Sequence, residues 1–135
     1  MAFQYSVAVR NARLDAFETT VGASAILKIR TGSAPANCAA ADAGTVLATL
    51  DLPADWMSAA SSGTKAKSGT WETLSADATG VAGHFRIYAS DGTTCHAQGV
   101  ITGTSGGGDM EVDNVNITTG QQFIVTAFVL TAGNA

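Results

Sequence analysis

Along most of this chain apolar and polar residues alternate with a period of two, the rhythm of half-buried β-strands. The clearest instance is Gly80–Thr102. Two β-prone runs, Gly80–Ser90 and Thr93–Thr102, meet at Asp91-Gly92, and glycine accepts the positive φ that a tight turn requires, so a central hairpin is predicted there. In Ala23–Arg30, Ala25, Leu27 and Ile29 share one face and Lys28 and Arg30 the other. Thr45–Leu52 reads as a strand that Pro53 ends, and Lys65–Leu74 as a strand with Trp71 on one face. Asp109–Asp113 alternates acidic with apolar side chains, Val115–Thr118 is a short strand, and Gln122–Thr131 closes the series. This last run sets Phe123, Val125, Ala127 and Val129 on one face and Ile124, Phe128 and Leu130 on the other. Cover is therefore expected on both sides, from the core on one and from the leading helix or another subunit on the other. About eight strands divided by turn residues, with no alternation of strand and helix, predict an all-β fold. The expected body is a mainly antiparallel β-sandwich, jelly-roll-like, with one N-terminal helix.

The leading segment breaks the rhythm. From Ser6 to Val21, Val7, Leu14, Phe17 and Val21 fall on one helical stripe, Ser6 is placed to cap the start and Gly22 to end it. Val9, Thr19 and Thr20 are poor helix formers, and a strand over Phe3–Val9 is the alternative. Arg10, Arg13, Asp15 and Glu18 lie off the stripe. The stripe packs either on its own domain or on a neighbouring subunit. One domain over 1–135 is expected, divided into an amphipathic segment 1–22 and the sandwich 23–135. Between strands, Thr31–Asn37 breaks pairing with Gly, Pro and Asn, Cys38–Gly44 has no clear period, and a Ser, Ala and Gly rich stretch runs from Pro53 to Gly69. Trp56, near its start, reads as a lid over a sheet end. Gly103–Gly108 reads as a flexible connector.

Charge narrows the partners. Only 13% of residues are charged and 46% are hydrophobic, which argues for a compact body or one that hides surface in contacts. Through Ile87, seven basic and seven acidic residues cancel; from Tyr88 onward there is no Lys or Arg, and Asp91, Asp109, Glu111 and Asp113 carry the whole net charge of −4. Direct nucleic-acid binding, which draws its affinity from neutralised phosphates, is not expected. The N-terminus lacks the charged start and continuous apolar run of a secretory signal, and no run approaches the ~20 apolar residues of a membrane helix. Synthesis in the cytoplasm and no membrane partner are the expectation. Cys38 and Cys95 have no metal-motif spacing, and two packed thiols or a disulfide between them both remain open.

Candidate chemistry is thin. Gly103-Thr-Ser105-Gly-Gly107 matches the nucleophile-elbow pattern, but a strand rather than a helix follows it and no His comes after Ser105. His84 and His96 lie on the two arms of the hairpin, which offers too few ligands for zinc. Asp109, Glu111 and Asp113 share a strand face, but the carbonyls and tight Gly turn of a calcium loop are absent from their spacing, so a solvated or subunit-facing acidic stripe is expected. Trp56, Trp71 and Tyr88, if exposed, could stack on sugar rings. No catalytic, cofactor-binding or metal residue is assigned.

Asn11–Gly32, Ala34–Leu50, Phe85-Arg-Ile-Tyr88 and the closing Gly120–Phe128 together resemble small structural proteins of tailed bacteriophages and prophages. The resemblance implies a non-enzymatic virion component, foremost a capsid decoration or cement protein on the head surface, with a tail or fibre component as the alternative. Its implied partners are the major capsid protein, copies of itself, or, for a fibre, a host-surface glycan bound through loop aromatics such as Trp56. The residues expected to carry assembly are the helical stripe Leu14, Phe17 and Val21 and the outer face of the last strand, Ile124, Phe128 and Leu130.

Overall fold

The computed structural model describes residues 3–133. Helix α1 spans Val7–Val21. Ser6 stays extended and its hydroxyl accepts the Val9 amide at 3.2 Å, which satisfies a donor the first turn would otherwise leave unpaired. Gly22 stops the helix at φ 92°, a conformation that strains any residue with a Cβ, and its amide returns to the Glu18 carbonyl. The alternative strand over Phe3–Val9 does not form.

The rest is all-β. The strands are β1 (Ile26–Thr31), β2 (Val46–Asp51), β3 (Thr64–Ala66), β4 (Glu72–Thr73), β5 (Gly80–Tyr88), β6 (Cys95–Gly103), β7 (Met110–Val112), β8 (Asn116–Ile117) and β9 (Phe123–Thr131). They form one curled mixed sheet in the order β2-β1-β5-β6-β7-β9-β3, with β4 added to β9 and β8 to β5. Every pairing is antiparallel except β6 with β7. β5 and β6 are the predicted hairpin. Gly92 turns at φ 72°, and the Asp91 carboxylate accepts the Thr94 hydroxyl at 2.6 Å and the Thr93 and Thr94 amides. Those bonds, the Thr94 hydroxyl first, hold the Asp91 carboxyl far below the usual carboxylate range.

Three local expectations fail for physical reasons. Lys65–Leu74 is not one strand: Gly69, at φ 69°, breaks the line between β3 and β4, and Trp71 turns inward. Gly103–Gly108 is a pinned turn rather than a flexible connector, since the Glu111 carboxylate accepts the Ser105 and Gly107 amides and Thr102 Oγ1 accepts the Gly108 amide. The two-faced reading of the last strand is interrupted by a bulge. Val125 pairs with Val112 and Ala127 with Glu111, so Thr126 is the extra residue, its hydroxyl donating to the Glu111 carbonyl at 3.1 Å. Past the bulge the side chains change faces: Phe128 and Leu130 join Phe123 and Val125 on the core side, and Val129 swings out to 54% exposure.

The core is threaded by an aromatic row. Phe17, Trp56, Trp71, Phe128 and Phe85 contact in succession with ring centroids 5.5, 5.8, 5.5 and 5.7 Å apart, in edge or tilted geometry. The indole N–H groups are satisfied by carbonyls, Trp56 at Gly22 and Trp71 at Trp56 and Ser68. This row joins the helix to β9 and β5.

Candidate functional site

The sheet has a gap. β7 is three residues long and lies between β6 and β9, pairing Met110 with Ile101 on one side and with Phe128 on the other. Beyond Met110 the two long strands continue without it, β6 from Val100 back to Cys95 and β9 from Val129 to Thr131. Among the described residues no strand pairs with these two facing edges. At β7 their backbones stand about 10 Å apart, twice the ~4.8 Å spacing of paired strands. The gap therefore opens as a slot one strand wide. It forms a cleft of about 550 Å³ floored by Leu14 and Phe17 of α1, Phe85 of β5 and Phe128 and Leu130 of β9, with Ala97 and Gln98 on the β6 side. Asp109 sits at its rim, where its carboxylate accepts the outward Val100 amide at 2.9 Å.

Of the six residues expected to carry assembly, four meet at this cleft: Leu14, Phe17, Phe128 and Leu130. Val21 is buried at the far end of the helix, and Ile124, half-buried, lies beside β4. The picture of two outward apolar faces is corrected. Phe128 is in the core and Leu130 packs against it because the Thr126 bulge reversed their side. Leu14 and Val21 are buried and Phe17 stacks on Trp56, so these three of the stripe are covered by their own domain while Val7 stays exposed at the helix start, and Leu14 and Phe17 reach the cleft.

What holds the helix there is largely polar, which the stripe did not foretell. Asn11, Asp15 and Glu18 form a second row that accepts the amides of Gly63, Ala60 and Met57 at 2.9, 3.0 and 3.1 Å. The buried Lys65 ammonium lies 2.7 Å from Asp15 and 3.0 Å from Glu18, and Arg10 donates to the Ala132 carbonyl. The Lys65 bond and the Ala60 amide hold the Asp15 carboxyl below its ordinary range. Burial alone pushes the Lys65 ammonium toward losing its proton, but the two carboxylates outweigh it and the net shift is upward.

The opposite face of β5 and β6 carries a second polar network under the 32–45 loop. Arg86 donates to Gln98, Asp42 and the Asn37 and Ala40 carbonyls; Asp42 also pairs with Arg30 and accepts the Tyr88 hydroxyl. Burial raises the Asp42 pKa, yet the Tyr88 and Arg86 hydrogen bonds prevail and its carboxyl is held below the usual range. The loop thus bolted down sets Cys38 against Cys95. Both thiols are free, Cys95 Sγ donates to the Ala97 carbonyl at 3.5 Å, and burial followed by the neighbouring Cys38 thiol pushes the Cys95 thiol up to about 11. The two-packed-thiols reading describes this state, and the disulfide is one oxidation away. Exchange with excess oxidised glutathione is expected to consume both thiols within one chain, slowly at pH 7 and faster toward pH 9 as thiolate forms. Closing roughly 57 residues of chain then stabilises by at most about 4 kcal/mol. A free-thiol assay and thermal melts check this; two titratable thiols persisting at pH 9 refute it.

Other candidate chemistry does not assemble. Ser105 sits in the pinned turn at φ 66° with β7 following. His84 is buried with Nδ1 2.9 Å from the Gly32 carbonyl, and no group of three His, Cys, Asp or Glu among the described residues could hold a metal ion. Asp109 and Glu111 serve as backbone acceptors. Trp56, Trp71 and Tyr88 are fully buried, so the aromatic platform expected for a glycan is inside the core. No described helix is long and apolar enough to cross a membrane. No family model, curated protein or solved structure matches the chain.

Proposed function

We propose that this chain is a non-enzymatic structural subunit of a tailed-phage virion, a decoration or cement protein on the head surface that stabilises the shell by covering apolar surface between itself and the major capsid protein or its own copies. The observation that carries the reading is the apolar cleft between α1, β6 and β9, with Val129 exposed at its margin and two strand edges left open. Open edges and clustered apolar surface are costly to leave in water and are the usual material of an interface. The similarity to phage structural proteins in Asn11–Gly32 and Gly120–Phe128 supplies the setting. Because such contacts bind only the folded subunit, each bound copy is stabilised in turn.

Binding to purified expanded heads of the cognate phage tests this. Val129→Asp places a charge at the cleft margin on a side chain that is half in water already, so folding stability is expected to change by no more than about 0.5 kcal/mol. Head binding is expected to weaken by about tenfold or more, since an unpaired carboxylate is costly to desolvate. Co-sedimentation with heads reads it; no binding of the unmodified chain to any head form defeats the reading.

A further inference from the structure

We infer that the slot between β6 and β9 is completed by an extended strand from a second copy of this chain, namely its N-terminal arm, Phe3–Ser6. The slot dictates the chemistry of its occupant. It offers outward-facing backbone on both sides, at Gln98 of β6 and at Val129 and Thr131 of β9, so the guest must be an extended segment that can pair with both. Its floor is aromatic and aliphatic, Phe17, Phe85, Phe128 and Leu14, so alternate side chains of the guest must be large and apolar. The carboxylate of Asp109 stands at the rim, so an acidic guest is disfavoured.

The arm meets each requirement. It precedes the helix as non-helical backbone, ending in the extended Ser6, and its Phe3 and Tyr5 are two residues apart, the spacing of one strand face. It carries no charged side chain. Phe3 is 73% exposed, which leaves a large ring in water with no core to enter in its own chain. The arm does not turn toward its own slot: Tyr5 lies under the Arg13 guanidinium, 4.8 Å from ring centre, and Phe3 meets Tyr5 edge-on at 5.1 Å. Neither Phe3 nor Tyr5 lines the cleft of its own chain. Two buried aromatic rings remove about 300–500 Å² of surface, less than a stable dimer buries, so one arm gives weak, concentration-dependent association and reciprocal exchange doubles it.

The inference rests on the assembly role proposed above only in placing the cleft within a contact; its first measurements use no phage heads, which are added only to tell the two apart. The full chain is compared with Phe3→Ser/Tyr5→Ser by sedimentation velocity from micromolar to millimolar, together with hydrogen exchange at the slot-facing Gln98, Val129 and Thr131 amides. The expected result is self-association of the unmodified chain, protection of those amides that grows with concentration, and association weakened about tenfold or more in the double variant at unchanged melting temperature. A chain monomeric at millimolar concentration, or association indifferent to the double variant, overturns it. Protection that is independent of concentration and lost in the variant places the arm in its own slot and also overturns the exchange. Protection that appears only when heads are added gives the slot to a shell segment, which overturns it while leaving the decoration role standing; loss of head binding with self-association intact does the reverse.

Discussion

Trp71→Ala is expected to lower the unfolding free energy by about 4 kcal/mol, the middle of the range for a core aromatic truncation, and to drop the melting temperature by roughly 10–16 °C. Trp71 is fully buried in the middle of the aromatic row, in contact with Trp56 on one side and Phe128 on the other. Its loss opens a void in the row, and the site cannot collapse freely because Trp56 is held to the Gly22 carbonyl and Phe128 is fixed by its pairing with Met110 of β7 and by the Lys67 amide. The deletion also leaves the Trp56 and Ser68 carbonyls without the indole donor they share. Trp71→Phe restores most of the volume but not that donor, so it is expected to recover more than half of the loss. Urea unfolding of the two variants measures the split; a loss under about 1.5 kcal/mol for Trp71→Ala would show that the row is not a continuous support.

Arg86→Leu is expected to cost about 3 kcal/mol, the lower end for removing one member of a buried charge pair, since Asp42 is partly exposed and can recover water. The larger sign is local. Without Arg86 the Asn37 and Ala40 carbonyls and Gln98 lose their donor, so the 32–45 loop is expected to become the first site of proteolysis while the core of the sheet stays protected. The acid response follows from the same network. Asp42 and Asp15 are both held below their unfolded values, so each contributes stability that is fully present above about pH 4 and is lost as pH falls through the folded values. The unmodified protein should lose stability between pH 4 and pH 2, and Arg86→Leu should lose less over that interval because part of the Asp42 contribution has already gone. Urea midpoints at pH 7 and pH 2.5 for both proteins give the comparison; equal acid losses refute the role of Arg86 in holding Asp42.

Local signals were readable along the chain wherever a single residue determines a backbone choice. Ser6 and Gly22 bracket the helix, Asp91-Gly92 makes the hairpin, and alternation in Ala25, Leu27 and Ile29 marks a strand, because capping, positive φ and the two-residue period act within a few residues. Apolar character alone marks Leu14, Phe17, Phe128 and Leu130, and these four line one cleft. Their orientation was not legible, since a bulge at Thr126 depends on what β7 pairs with fifteen residues earlier in the chain. Asp15 and Glu18 looked solvent-facing by type, yet the loop at 57–63 needs acceptors for its amides, and Lys65 needs counter-charge. Charged residues in such service give no apolar period to read. The parallel pairing of β6 with β7 and the slot it leaves are likewise properties of register between segments, invisible in either alone.

The helix that comes first in the chain is held in part by segments that come last. Arg10 is tied to Ala132, and Leu14 and Phe17 share their cleft with β9. On a ribosome adding about 5–20 residues per second, the roughly 110 residues between the end of the helix and Ala132 take on the order of 5–20 s to appear. For that interval the nascent helix has the 57–65 segment to bond but not the β9 side of its cleft, so its docking is completed only at the end of synthesis. Termination of synthesis before β9 is complete would release a product with Leu14 and Phe17 bare, a substrate for chaperones rather than a smaller folded protein.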